Sequence, residues 1–398
     1  MSDHRLSKAD LRHSLVAIYA AAAAFGFMLG LSSPLLSLIL ESRNVGSSMI
    51  GLNGAITSLG FLASAPLIPI LVRRLGVIRV ITTSVIISTT SLLLLRAIDD
   101  LAIWFVLRFM LGAAISGLLL ISETWINQIA DPSGRGRTIG IYVTVITAAF
   151  AAGPMIIPLT GIDSWTPFII GILAIVISGV AFLPVRKIAP KFEDRQSVAL
   201  FSFFSIAPIL MAAVAVVALI DGAVIVHLAI YGLRLETGLT VSTAMVSAFL
   251  IGNIVLQIPI GWLADKLNGY RVLAICSVAG VLCSMAVVIF APNHNVILLF
   301  LMILGGFTYG LYTIALTLLG ERFSGSNLVA ANAAFAIMWG VGGLAGPAAG
   351  GIAMDMLGPQ GLPLTIVVVC GLFLILLVSR HTEVIPGLNY ILTKTSHR

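Results

Sequence analysis

Three ionisable side chains stand well inside apolar runs of this sequence, Arg108, Glu123 and Asp221, with His227 beside the last. A charge near a bilayer centre costs about 2.5–3.5 kcal/mol on insertion scales, so each needs a partner, a wet cavity or a neutral form. A carboxyl that alternates between charged and neutral forms is a proton carrier, which makes Asp221 and Glu123, with Arg108 as a charge that could act on them, the candidates for proton coupling. For Asp221 two readings stand side by side: an acid that changes protonation, or a static pair with Arg108 or a hydrogen-bonded helix contact. Arg108 is equally a guanidinium satisfied by helix carbonyls of its own half, and Glu123 suits a pair with Arg73, Arg74 or Arg135. His227 follows Asp221 by six residues, about 600° of helical turn. The two therefore do not share a face, no Asp-His relay is expected, and His227 reads as an interfacial histidine near the outer surface.

Enzyme chemistry finds no footing. Cys276, Cys283 and Cys370 fall in apolar runs without ligand-like spacing, so neither a metal site nor a disulfide framework is expected. Gly340, Gly342 and Ala345 fit the loose dinucleotide pattern, but no strand precedes them, and no Gly-rich phosphate loop with its Lys is present. The expectation is no cofactor, no ATP as energy source and no catalytic residue.

The elements that must hold these residues are membrane helices. Hydrophobic residues make up 59% and charged residues 10% of the chain, against about 25% charged in a soluble domain; so few charges cannot cover a water-facing surface. A span needs about 20 mostly apolar residues, and twelve such runs are found, at 14–40, 48–72, 77–97, 101–125, 138–160, 166–185, 205–232, 240–264, 271–291, 296–319, 328–354 and 363–380. Measured from the start of its run, Asp221 falls in the outer half and Arg108 at a similar depth. The first run is too long for a secretion signal and reads as an uncleaved helix. With the N-terminus inside, 18 Lys and Arg residues fall on the cytoplasmic side and three, Arg43, Arg96 and Arg234, on the other. The positive-inside rule then places both termini in the cytoplasm. The formal charge of +6 follows from this topology; basic residues scattered singly among apolar runs do not suggest nucleic acid.

The runs also repeat. Gly153-Pro154 and Gly346-Pro347 are 346 − 153 = 193 positions apart, and the same step carries Gly112 onto Gly305 and Gly117 onto Gly310. Duplicated halves with a substrate site between them are the usual build of secondary transporters. The expected organisation is an all-α integral membrane protein of twelve transmembrane helices in two pseudo-symmetric six-helix bundles. A segment 1–13, bundles 14–185 and 205–380, a linker 186–204 and a tail 381–398 divide the chain. Gly342, Gly346 and Gly350 recur every four residues and mark a close helix contact, as do Ala149, Gly153, Ile157 and Gly161 in the other half.

The sequence resembles the major facilitator superfamily across its length. Gly261-Trp262-Leu263-Ala264-Asp265-Lys266 is similar to the family's gating motif, whose first-half copy here has Pro69 at the glycine position and Arg73 at the acid. Arg108 and Gly112 match its Arg-x-x-x-Gly element, and Gly140, Gly153-Pro154 and Gly161 match its antiporter motif, with Ala149 and Ile157 at two glycines. Glu123, Arg135-Gly136-Arg137, Tyr142, Gly310-Leu311-Tyr312 and Glu321-Arg322 resemble the bacterial YcaD-like branch. The resemblance implies that the first, fourth, seventh and tenth helices line a cavity. Its candidate lining is Phe25, Met28, Ser32, Ser33, Asp221, Tyr309 and Tyr312. It also implies a cytoplasmic gate of Arg73, Arg74, Glu123, Arg135, Arg137, Gly261, Asp265 and Lys266. Helix N-termini attract carboxylates, so Asp265 is expected near the start of the fifth helix, and Glu123 near Arg73 or Arg74, when the carrier faces outward.

These readings converge on an inner-membrane transporter of a small organic solute that works by alternating access. Proton antiport is slightly favoured over proton symport, and a monomer is expected in the bilayer. A non-transporting receptor or assembly factor is the alternative of another class.

Overall fold

The computed structural model describes residues 8–129, 135–186, 206–291, 293–323 and 325–379. Residues 1–7, most of the linker 186–204 and the tail lie outside them, as do the side chains at 8–10, 135, 136, 265 and 325–330. Arg135 and Asp265 are therefore placed by backbone alone.

The helices are α1 (Lys8–Ser42), α2 (Ser47–Ser64), α3 (Leu67–Leu75), α4 (Val77–Ala97), α5 (Leu101–Ile129), α6 (Arg135–Thr160), α7 (Thr166–Ala181), α8 (Pro208–Arg234), α9 (Gly238–Lys266), α10 (Gly269–Ile289), α11 (His294–Arg322), α12 (Gly325–Leu357) and α13 (Gly361–Ser379). The last two are joined by a 3₁₀ turn, Gly358–Gln360. Each of the twelve expected spans has its helix, but the run 48–72 is two helices, α2 and α3, bent by 55°. Pro66 stands at the break; without an N–H it cannot continue the ladder of the preceding turn. Gly76, at φ 89°, then reverses the chain into α4, a conformation that favours glycine over any side chain. Asn268 and Asn293 start α10 and α11 by accepting from the backbone N–H of Tyr270 and Val296, the usual work of an N-cap.

Each half is built on the same two close approaches. Glycine lets α5 meet α2 and α11 meet α9 at backbone distance. A Cβ on Gly112 would lie 1.9 Å from the Thr57 carbonyl oxygen, and one on Gly305 1.8 Å from that of Phe249. Across the same contacts Gly60 meets the Phe109 carbonyl and Gly252 that of Met302. The second pair of contacts joins the fifth helix of each half to its first: Gly153 against Gly30 and Leu31, and Gly346 against Leu219. Gly342 and Gly350 extend the latter stripe against Ala215 and Ala223. The chain therefore forms two pseudo-symmetric bundles of six spans.

The halves meet through α2 on α12, α6 on α9 and α1 on α8. At the end of the molecule poor in basic residues this seam is tightly closed. The Arg234 guanidinium donates to both Glu41 oxygens, at 2.7 and 2.9 Å, joining the ends of α1 and α8. Asp355 of α12 accepts from the backbone N–H of Ser47 and of Ser48, both at 2.8 Å, at the start of α2, where the helix dipole favours a carboxylate. Below these, Gly51 lies against the Pro347 carbonyl and Gly54 against Val226. The contact of α2 with α12 continues down to Ser58 beside Gly343 and Leu62 beside Gly340. Toward the basic-rich end the halves part: α3 packs on α2 and α4, while α5 and α11 pack on helices of their own halves.

Candidate functional site

Asp221 is the midpoint of α8, 13 residues from Pro208 and 13 from Arg234, and not in the outer half as the run length implied. The helix begins three residues later than expected and ends two later, which moves the acid to the centre. Arg108 is seven residues from the start of α5, nearer the basic-poor end, so the two are not at one depth. Arg108 is 1% exposed, and its Nε and Nη2 have no hydrogen-bond partner among the described residues. That finding corrects two sequence expectations, a pair with Asp221 and satisfaction by helix carbonyls.

The partner of Asp221 is Tyr309. The phenol of Tyr309, on α11, donates to Asp221 Oδ1, and its ring packs on Phe249 with centroids 5.8 Å apart. Tyr309 is buried, whereas Asp221 keeps part of its surface open. One turn further toward the basic-rich end, Thr313 Oγ1 donates to Gln257 Oε1 at 2.6 Å, and Gln257 Nε2 donates to Asn253 Oδ1 at 2.5 Å. This amide and hydroxyl ladder between α9 and α11 lies inside two helices long and apolar enough to cross a membrane.

Tyr312 follows Tyr309 by three residues and shares its side of α11. It meets Trp339 edge to face at 5.3 Å and Phe335 at 6.3 Å, both on α12. From the first half Phe25 and Phe61 pair at 6.3 Å. Phe61 and Trp339 each adjoin the Leu62–Gly340 contact in sequence, so the two aromatic groups come from the two sides of the seam where it begins to open. Phe61, Phe335 and Trp339 were not foreseen, because an aromatic inside an apolar run carries no sign of which way it faces.

Of the α1 candidates the structure divides the set. Phe25, Leu29 and Ser33, four residues apart, are half-buried along one face, and Met28 and Ser32 are buried. Met28 and Ser32 line a small apolar gap inside the first bundle with Phe168 and Gly171, and Ser32 donates to the Met28 carbonyl at 2.5 Å. They are core residues, a correction to the expected cavity lining. The rotation of α1 is fixed by Gly26 and Gly30 pressed on the Ile146 and Phe150 carbonyls.

His227 is fully buried, not interfacial. A ring nitrogen bonds the Pro347 carbonyl oxygen at 2.8 Å, in a slot made by Gly51 and Gly350, where a Cβ would come within 3.0 and 3.2 Å of the imidazole. It thus joins the closed part of the seam and makes no bond to Asp221.

Among the gate candidates, Arg73 and Arg74 form the exposed last turn of α3. Arg137 is exposed near the start of α6 and Glu123 is exposed two turns before the end of α5. Lys266 places Nζ 3.6 Å from the centre of the Trp262 ring, and Gly261 has open space on its side-chain face. Tyr142, on α6, shares a 2.9 Å hydrogen bond with Ser122 of α5. The basic-poor end gives each of its three arginines a partner of its own, although Arg96 Nε stays buried without one. Besides Arg234 on Glu41, Arg43 pairs with Asp99 at 2.5 Å, and Arg96 donates to the Asp163 carbonyl at 2.5 Å and covers the Trp165 ring.

No group of three or more His, Cys, Asp and Glu residues that could hold a metal is present among the described residues.

Known proteins resemble this chain in sequence and in fold. The chain is 26% identical over 332 residues to an uncharacterized MFS-type transporter, YfkF, of Bacillus subtilis, covering 82% of this chain and 85% of that protein. It is 23% identical over 370 residues to an uncharacterized MFS-type transporter, YcaD, of Escherichia fergusonii, covering 88% and 91%. Its fold is that of the nucleoside transporter NupG, with a TM-score of 0.74 at 15% identity over 95% of this chain and 99% of that one. A bacterial homolog of the human lysosomal transporter Spinster, in an inward-facing and unoccupied conformation, gives 0.71 at 15% identity over 95% and 98%. The sequence profile of the Major Facilitator Superfamily matches residues 18–246 and 210–389. With twelve spans in two like bundles and an acid at the centre of the seventh, the chain belongs to the Major Facilitator Superfamily of membrane transporters.

Proposed function

We propose that this protein carries a small organic solute by alternating access and exchanges it for a proton taken up by Asp221. The basic-rich end is then cytoplasmic, both termini lie in the cytoplasm of a cell whose inner membrane holds the protein, and the conformation described here is open to the inside. The observation that carries the reading is the Asp221–Tyr309 bond: an acid in mid-membrane with an uncharged partner can change its protonation without leaving a buried countercharge alone. Export is favoured by the fifth-helix elements Gly140, Gly153-Pro154 and Gly161; proton-coupled uptake is the other direction the same acid serves.

The two directions are separated by one sign. Metabolite profiles of cells with and without the protein identify the solute, which is then followed in proteoliposomes under an imposed pH gradient. Antiport accumulates it in an acidic lumen, and symport in an alkaline one. Accumulation indifferent to the gradient would remove the proton from the mechanism.

In this reading Glu41–Arg234 and Asp355 on α2 form the outer closure, while Arg73, Arg74, Glu123, Arg135, Arg137, Asp265 and Lys266 form the inner one in the opposite state. Breaking the outer closure with Glu41→Gln and Asp355→Asn together is expected to shift the population outward. A membrane-impermeant maleimide applied from outside should then label a Phe25→Cys variant about tenfold faster, the effect of some 1.4 kcal/mol between the two states. The native cysteines are buried, which keeps the background low. Equal labelling rates would assign the outer contacts to stability alone.

A further inference from the structure

We infer that the solute is an aromatic or otherwise hydrophobic monovalent cation, whose charge is held by Asp221 and whose apolar body lies against Tyr312, Trp339, Phe25 and Phe61. The inference rests on the proton-coupling reading of Asp221 and deepens it by naming what the proton is exchanged for.

Three observations on different helices point the same way. First, the charge at the centre of α8 is negative and uncompensated: Asp221 accepts a hydrogen bond from a phenol, and no Lys, Arg or His bonds to it among the described residues. The positive charge inside a span of the first half, Arg108 of α5, is buried and faces no bond partner through Nε and Nη2. His227 is taken up by the Pro347 carbonyl. Second, Tyr312 connects the acid to an aromatic surface. It stands one turn from Tyr309 and carries Trp339 edge to face against it. Third, these rings are half-buried rather than sealed. Tyr312, Trp339, Phe25 and Phe61 all retain exposed surface, at the point where the contact of α2 with α12 ends at Leu62 and Gly340.

An electron-rich ring face attracts a cation, most strongly when both are desolvated. A carboxylate in mid-membrane adds the charge that a neutral or anionic solute would find unfavourable. The exchange balances simply. Protonated Asp221 gives its proton to water as the cation arrives, and the carboxylate takes a proton back when the cation leaves; one positive charge occupies the site at each stage.

The test uses two ions of the same shape and opposite charge, tetraphenylphosphonium and tetraphenylborate, with the purified full chain in lipid nanodiscs and empty nanodiscs subtracted. Tetraphenylphosphonium is expected to bind saturably, to quench Trp339 and to release a proton into weakly buffered solution. Tetraphenylborate should bind at least about tenfold more weakly, a difference of some 1.4 kcal/mol. Asp221→Asn should lower affinity for the cation by a similar factor and abolish proton release, and Asp221→Glu should restore part of both. Trp339→Phe should remove the quench and weaken binding of the cation, so that proton release is reached only at higher cation concentration, because a phenyl face holds a cation less tightly than an indole. Equal affinity for the two ions, or an Asp221→Asn variant that binds the cation as the parent does, would overturn the inference. If the cation fails to bind while a profiled solute still moves with the pH gradient through Asp221, the substrate class falls and proton coupling stands. If the cation binds through Asp221 without releasing a proton, cation recognition stands and proton coupling falls.

Discussion

Asp221→Asn is expected to reduce pH-gradient-driven movement of the solute to the background of empty vesicles, while solute-for-solute exchange persists at the weaker affinity that loss of the carboxylate brings. Asparagine has the shape of aspartic acid and keeps the carbonyl oxygen that accepts from Tyr309, so the contact between α8 and α11 survives and the capacity to hold a proton does not. Exchange needs the binding site to reorient while loaded, and that step does not require the proton to leave. The measurement is paired: accumulation under an imposed gradient, and counterflow without one, in the same vesicles. Loss of the protein from the membrane would assign Asp221 to helix packing. Unchanged dependence on pH in a well-folded variant would end the coupling role.

The second large effect is structural. Gly305→Ala and Gly112→Ala each place a methyl within 2 Å of a backbone carbonyl on the facing helix, Phe249 in one case and Thr57 in the other. A backbone atom cannot step aside as a side chain tip can, so α11 or α5 must move bodily. Such overpacking costs about 1–3 kcal/mol and occasionally more. Gly140 is the control, because a Cβ there meets nothing within 4 Å. Relief of glycine's backbone entropy makes Gly140→Ala neutral or stabilising by about 0.5–1 kcal/mol. Thermal unfolding followed by size exclusion in detergent should rank both tight-contact variants well below the parent and Gly140→Ala at or above it. A stable Gly305→Ala would show that the two helices are held apart by something other than that glycine. A stable but inactive Gly140→Ala would place Gly140 in a contact made only in another state of the transport cycle.

Twelve spans were legible in the sequence because an apolar run long enough to cross a bilayer has few other uses. The duplication was legible because glycines at fixed spacing mark the same close approach twice. The break at Pro66 was missed: a proline in a span usually kinks it, and nothing in the residue order says that α3 will turn away by 55°. The faces of α1 were beyond the sequence for a physical reason. Core, lipid and crevice all accept apolar residues, so Met28 and Phe25 look alike until Gly26 and Gly30 dock on α6 and fix the rotation. Asp221 stood out as a charge, but its partner lies 88 residues away, and a tyrosine among apolar neighbours gives no hint of what its hydroxyl will meet. His227 was placed at an interface because a polar ring near a helix end belongs there by default. Two glycines on neighbouring helices made room for it instead.

The paired glycine contacts allow the two copies to be compared position by position, and the copies have parted company. The register that sets Gly30 against the Phe150 carbonyl and Gly222 against that of Gly343 puts Leu29 where the second copy has Asp221. Matching Gly112 to Gly305 sets Ser116 opposite Tyr309 and Leu119 opposite Tyr312, while Arg108 falls opposite Leu301. An ancestor made of two equal units would have offered a solute the same welcome from either wall; in this descendant the second copy holds the acid, both tyrosines and the tryptophan. On the proposed reading, cargo whose charge is gripped on one flank travels with that flank, and the opposite copy, which adds the rings of Phe25 and Phe61, is free to change elsewhere without altering the charge that the protein recognises.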